Sequence, residues 1–259
     1  TGAPDFAYQA CVRALARAKD WSGRLDSLQM ASCGAEPVRA TTLTAFADAF
    51  APFGLQRSVL TPCFGLAEAV LAVTLRDSEQ ALMQLAVDGR RLERLEVVAV
   101  SPDAPSARVL VGCGRPLPGF DVRIVDPDTG APCPADRVGE IWIAGASVAP
   151  GYWGHDAAPG EPFGARLVAG DDEGQPFLRT GDLGFLRDGQ LFVAGRRKDL
   201  IIIGGRNLYP QDLELSAEQA HPSASTHGTI ALSVDTGSRE AVVLLVECSR
   251  RPTPQTVSD

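Results

Sequence analysis

Apolar positions recur at helical spacing from the start of the chain. Pro4 suits a first helical turn, and Phe6, Ala10, Ala14 and Ala18 predict a helix over 4–19. The run LQMAS at 28–32 predicts a short buried strand. Pro37 opens a second helix with Leu43, Phe46 and Phe50 at i, i+3 and i+7, halted near Gly54. The run RSVL at 57–60 predicts a further strand. This strand–helix–strand rhythm predicts part of a layered α/β domain.

The texture changes after residue 70. Short β-type runs at 70–75, 95–100, 108–111, 121–125, 138–143, 183–186 and 190–193 are separated by turn signals such as Asp128-Thr129-Gly130 and Asp188-Gly189. They predict a small barrel or meander packed on the first part. From 199 onward the pattern predicts a strand (LIII), a Gly-Gly turn, a helix opening at Pro210, and strands at 229–234 and 241–247. Residues 235–239 turn between those strands, and the proline-containing tail 250–259 reads as loose. No internal repeat or low-complexity segment interrupts this order.

Composition narrows the function classes. Hydrophobic residues make up 45% of the 259 and charged residues 22%, which excludes a disordered chain as the default. A formal net charge of −8 argues against a nucleic-acid backbone as partner. No apolar run approaches the roughly 20 residues a membrane helix needs. The six cysteines are scattered, with no C-x-x-C pair, which favours free buried thiols in a reducing cytosol over a metal site. A cytoplasmic location is therefore expected.

Four clusters place polar, turn-forming residues at the ends of apolar runs. In Cys33-Gly34-Ala35-Glu36-Pro37 a glycine allows close approach of a ligand, or simply an ordinary strand-to-helix turn. In Pro62-Cys63-Phe64-Gly65-Leu66-Ala67-Glu68 an aromatic ring could face a planar base. Glu68, on an expected helix start, could hold Mg²⁺, a hard cation that prefers oxygen. The alternative there is a core aromatic and a solvated glutamate. In Arg179-Thr180-Gly181-Asp182 a carboxylate after a tight turn can accept hydrogen bonds from a sugar diol, or the segment is a hairpin turn. In the fourth cluster Arg196, Arg197 and Lys198 precede Asp199 and four apolar residues. They could neutralise phosphate or form a solvated basic loop.

The order of these clusters resembles the superfamily of acyl-CoA synthetases, luciferases and peptide-synthetase adenylation domains. PCFGLAE resembles its aromatic-Gly-x-x-Glu motif, GEIWIAGASVAPGYW (139–153) its barrel motif, and RTGD and GRRKDLIIIGGRNLYPQDLE its two ribose-proximal motifs. TGAPDFAYQACV, CGAEPVRATTL and GRNLYPQDLE are most similar to fatty acyl-AMP ligases, with Asp5 and Cys33 standing where asparagines are commoner. The resemblance implies an incomplete large α/β adenylate-forming domain over 1–198, with a small β-barrel and a family-type insertion at about 77–107. The beginning of a small α+β domain follows over 199–259. It also implies the roles. Gly34, Ala35 and Phe64 line the adenine pocket, Glu36 and Gly65 also belong to the ATP/AMP-binding residues, and Glu68 coordinates Mg²⁺. Asp182 and Arg196 hold the ribose hydroxyls, Asp199 is a hinge, and Glu68 and Lys198 are the candidate catalytic residues. The implied reaction is ATP-dependent activation of a fatty acid to acyl-AMP and its transfer to the phosphopantetheine thiol of an acyl carrier protein.

Two parts expected of that superfamily do not occur, a Ser/Thr/Gly-rich loop carrying a lysine and a lysine after Lys198. With no initiator Met at Thr1, they lead to the expectation of a piece cut at both ends and inactive alone. An acyl-CoA ligase or an amino-acid adenylation domain is the competing enzyme reading. A non-catalytic nucleotide-binding or docking remnant is the competing reading of another class.

Overall fold

Strand β1 (Gly2–Ala3) leads into helix α1 (Asp5–Arg17), whose Asp5 and Arg17 complement the helix dipole at its two ends. The computed structural model describes residues 1–18, 20–154, 162–168, 174–235 and 240–248. The side of α1 that packs is not the expected one. Tyr8 is buried and Val12 and Leu15 pack beside it, whereas Phe6, Ala14 and Ala18 are exposed. Tyr8 decides the orientation. Its ring meets Phe46 edge-on at 4.9 Å, and its hydroxyl donates to Ser32 O at 2.7 Å. One large amphipathic side chain with a satisfied polar tip outweighs three alanines.

Strand β2 (Ala31–Cys33) is followed by helix α2 (Ala40–Phe50), which buries Leu43, Phe46 and Phe50 as its spacing predicts. A 3₁₀ turn, Ala51–Phe53, ends at Gly54 with φ 88°. The first three residues of the strand expected at 57–60 are instead a 3₁₀ turn, Arg57–Val59, and β3 begins at the residue where that strand was to end, spanning Leu60–Leu66. Strand β4 (Leu71–Leu75) returns antiparallel to β3. The next segment holds β5 (Gln84–Asp88), the single-turn helix α3 (Gly89–Leu92) and β6 (Ala107–Val111), with β5 and β6 paired antiparallel. No run of strand forms at 95–100, where only isolated bridges Val87↔Ala99 and Glu96↔Arg137 occur. Strand β7 (Arg115–Pro116) completes a five-stranded sheet of order β1-β2-β3-β4-β7, parallel in its first three strands. Helices α1 and α2 cover that sheet with a core of Tyr8, Ala31, Leu43, Phe46, Phe50 and Leu60.

The β-rich part is a meander. Strands β8 (Phe120–Val125), β9 (Gly139–Gly145), β10 (Leu178–Arg187) and β11 (Gln190–Arg196) lie in the order β11-β10-β9-β8. The barrel is therefore corrected to an open sheet: among the described residues no pairing of β8 with β11 closes it. The outer edge of β11 is occupied by the segment before β7, through Cys113 N–H to Leu191 O and Leu191 N–H to Gly114 O. Both predicted turns are present. Asp126 accepts the amides of Asp128 and Thr129, and Asp188 and Gly189 both take positive φ between β10 and β11.

The described chain divides into two compact units, Thr1–Gly195 and Arg196–Asp259. In the second, β12 (Ile201–Ile203) and β13 (Arg206–Leu208) form a hairpin about Gly204-Gly205, with φ 59° and 76°. Helix α4 (Pro210–Ala220) opens at the expected proline, and Glu214 on it accepts the Ala231 amide at 3.1 Å. Strands β14 (Ala224–Asp235) and β15 (Glu240–Cys248) pair antiparallel. The loop expected at 235–239 and the tail at 250–259 lie outside the described residues, save Asp235. No helix among the described residues is long and apolar enough to cross a membrane.

Candidate functional site

The segment that carries Glu68 is shaped by backbone crowding. At Gly65 the pairing of β3 with β4 shifts register. A Cβ at Gly65 would lie 1.6 Å from Leu71 O, so only glycine fits. The chain then makes a 3₁₀ turn, Ala67–Ala69, rather than the expected helix start. It returns through Val70 and Leu71, both left-handed at φ 57° and 86°. Two residues of 139–153 meet this turn. Ala149 N–H donates to Glu68 O at 2.7 Å, and Tyr152 donates its hydroxyl to Glu68 Oε1 at 2.6 Å. A half-buried carboxylate on a tight turn suits a hard cation. Among the described residues no three His, Cys, Asp or Glu side chains gather into a metal cluster. Glu68 could supply one oxygen ligand to Mg²⁺.

Phe64 is only 7% exposed and shares a buried cluster with Val73, Cys113, Ile141, Ile143 and Leu178. Its ring is therefore mainly a core side chain, and what it can offer a base is an apolar floor. The same cluster supports β9 and β10, so the Glu68 turn and the Asp182 segment rest on one foundation.

Asp182 sits in a bulge of β10. Arg179 pairs with Trp142 and Leu183 with Glu140, so Thr180, Gly181 and Asp182 together oppose Ile141 alone. Gly181 takes φ 74°. Thr180 donates its hydroxyl to Ile141 O at 2.7 Å and accepts the Asp182 amide at 3.1 Å. Beneath the bulge lies Glu140, 3% exposed. Its Oε2 accepts Arg179 Nε and Nη2 at 3.0 and 2.7 Å and Trp142 Nε1 at 3.1 Å, and its Oε1 accepts the Gly181 amide at 3.1 Å. Glu140 and Tyr152 were missed as individual residues. The available signal for Glu140 was a carboxylate inside an apolar run, Gly139-Glu140-Ile141-Trp142-Ile143.

Gly34 lies at the end of β2, where a Cβ would be 2.8 Å from both Cys63 O and Cys63 Sγ. The first two clusters are thus brought together by the parallel pairing of β2 and β3. Ala35 is exposed and left-handed at φ 66°. The Glu36 carboxylate accepts the Phe6 amide at 2.6 Å, so it caps the first turn of α1. Asp5, 1% exposed, accepts the Arg39 amide at 2.9 Å and the Thr42 hydroxyl at 2.7 Å. It joins the starts of α1 and α2. Burial, with Asp5 nearby, pushes the Cys33 thiol well above the usual range, and burial pushes Cys113 up to about 12. These are inert thiols, as the scattered spacing suggested. Arg196, Lys198 and Asp199 are exposed at the start of the second unit, the last two in the 3₁₀ turn Arg197–Asp199.

The family model of the AMP-binding enzymes matches residues 1–153. The chain belongs to the AMP-binding enzyme family. It is 44% identical over 250 residues to the medium-chain-fatty-acid–acyl-carrier-protein ligase JamA of Moorena producens (strain JHB), covering 95% of this chain and 42% of that protein. It is 37% identical over 261 residues to the putative fatty-acid–CoA ligase FadD21 of Mycobacterium tuberculosis (strain H37Rv), with the same two coverages. A solved structure from a study of fatty acyl-adenylate ligases of E. coli and L. pneumophila superposes with a TM-score of 0.81 at 34% identity. That match covers 99% of this chain and 44% of the other. The chain therefore spans about two-fifths of the length of the AMP-binding relatives it matches. The mixed α/β fold agrees with these family neighbours.

Proposed function

We propose that this protein activates a fatty acid with ATP and passes the acyl group to the phosphopantetheine thiol of an acyl carrier protein. The observation that carries the reading is Asp182, a carboxylate presented by a three-against-one bulge that a buried network fixes in place. A bulged strand beside a ligand site re-aims a side chain, and a carboxylate can accept both hydroxyls of a ribose. Identity of 44% with a protein named as a ligase for an acyl carrier protein supports the acceptor.

In the proposed reaction a carboxylate oxygen of the acid attacks the α-phosphorus, and the bond to pyrophosphate breaks. The thiolate then attacks the acyl carbon, and AMP leaves with the bonding pair. Both steps bring anionic or electron-rich groups together, so positioning and charge neutralisation dominate. Ala35, exposed and left-handed, offers the base its backbone, with Gly34, packed on Cys63, and Glu36 and Gly65 holding the shape of the two turns. Phe64 provides the apolar floor, and Asp182 grips the ribose. Glu68 would hold Mg²⁺, which supplies charge neutralisation at the phosphates when bound. The cationic roles of Arg196 and Lys198, and a hinge at Asp199, rest on the motif alone.

The test uses the complete protein. Acid-dependent ATP–pyrophosphate exchange is expected with fatty acids, and holo-acyl carrier protein is expected to out-compete coenzyme A as acceptor. Preference for coenzyme A would favour the alternative that the name of FadD21 suggests. Asp182→Ala is expected to raise the KM for ATP by about tenfold or more through lost charge-assisted hydrogen bonds. An unchanged KM removes Asp182 from the site.

A further inference from the structure

We propose that Glu140 is a positioning residue that sets the nucleotide grip of Asp182 without touching the nucleotide. This rests on the ribose-binding reading of Asp182 and extends it to a residue on the neighbouring strand.

The argument begins with an imbalance. Strand β10 carries three residues where β9 offers one, so the ladder cannot hold the bulge. Other contacts must hold it, because a bulge leaves backbone groups unpaired. The Gly181 amide is one such group, and it donates to Glu140 Oε1 at 3.1 Å. The other oxygen of the same carboxylate accepts Arg179 Nε and Nη2, from the residue that begins the bulge. Glu140 itself faces Leu183, the residue that ends it. One buried carboxylate therefore spans the bulge from entry to exit. Trp142 adds a third donor to Oε2, and the Arg179 guanidinium lies 5.4 Å from the centroid of the Trp142 rings.

The chemistry of the network makes the charge specific. The four hydrogen bonds into Glu140 described above all come from N–H donors. A glutamine in its place has one oxygen and one NH₂ group. Either the amide of Gly181 or the Arg179–Trp142 side then faces a donor instead of an acceptor. If the Gly181 side is lost, the crown of the bulge loosens, and Asp182 is the next residue along the chain. If the Arg179 side is lost, a partly buried guanidinium loses its counter-charge, and the entry of the bulge loosens instead.

The experiment compares ATP with 2′,3′-dideoxy-ATP, which lacks both ribose hydroxyls, by direct binding to the complete protein. Wild type is expected to prefer ATP, and Asp182→Ala to abolish that preference. Glu140→Gln is expected to raise the Kd for ATP about tenfold and leave the Kd for dideoxy-ATP unchanged. A merely structural role would weaken both nucleotides together. Should Glu140→Gln fail to fold, Glu140→Asp keeps the buried charge beside Arg179 and withdraws it from Gly181. It is expected to lose part of the same preference. If wild type and Asp182→Ala behave as expected while Glu140→Gln and Glu140→Asp keep the full preference, or weaken both nucleotides alike, the Glu140 proposal falls alone. If wild type shows no preference, or Asp182→Ala retains it, the ribose reading of Asp182 falls and Glu140 with it.

Discussion

At the scale of single residues, the Glu68 turn is governed by backbone contacts rather than side-chain chemistry. Gly65 lies against the carbonyl of Leu71, and no rotamer change can move a carbonyl aside. Gly65→Ala is therefore expected to cost about 2–3 kcal/mol and to displace the turn that carries Glu68. Thermal melting gives the first quantity, and ATP–pyrophosphate exchange by the complete protein reports the second. Val70 supplies the opposite case. It is β-branched, left-handed at φ 57°, and 76% exposed. Its side chain contributes little burial, and its conformation is one that branched side chains resist. Val70→Gly is expected to leave stability unchanged or raise it by up to about 1 kcal/mol, despite the usual cost of glycine. A clear fall in melting temperature would mean that Val70 contributes packing which its exposure conceals.

At the scale of elements, legibility followed the kind of force that shapes each element. Helix α2 was readable because three large apolar residues at helical spacing lie on its buried side, and Gly54 follows its last turns. The Gly204-Gly205 turn and the Pro210 helix start were readable because glycine and proline act locally, whereas the return strand β13 was not expected. The packed side of α1 was not, because it depends on Tyr8 finding Ser32 and Phe46, both distant in sequence. The site divides the same way. The RTGD and PCFGLAE segments advertise themselves through turn residues, and their resemblance supplied the roles. The support beneath them did not, since burial of Glu140 is a property of two strands meeting. Strand β5 escaped notice for a related reason: QLAVD is short, and only pairing with β6 makes it a strand. The orientation of α1 yields a direct check. Phe6→Ser is expected to change stability by less than about 0.5 kcal/mol because Phe6 is exposed, whereas Tyr8→Ala is expected to cost about 3–5 kcal/mol. Urea denaturation of both variants separates the two orientations, and a larger loss for Phe6→Ser would reverse the assignment.

At the scale of the whole molecule, the division after Gly195 coincides with a local run of exposed charge, Arg196 to Asp199. Three core clusters described in the first unit draw only on residues up to 193. A cut just beyond Gly195 should then leave those cores intact. The chain offers an unusually clean way to make that cut. It contains only two lysines, Lys19 and Lys198, and Lys198 is exposed in a single 3₁₀ turn. Proteolysis requires a segment to open locally, and segments at unit boundaries open at the least cost. A lysine-specific protease acting on the native chain is expected to cut after Lys198 within the first stage of digestion, releasing 199–259. Mass spectrometry of the products locates the cut. The remaining piece ending at Lys198 is expected to keep a cooperative melt, because the packing of α1, α2 and both large sheets is retained within it. Resistance at Lys198 until denaturant is added would mean that the turn is held as firmly as the strands beside it, and that the two units unfold as one.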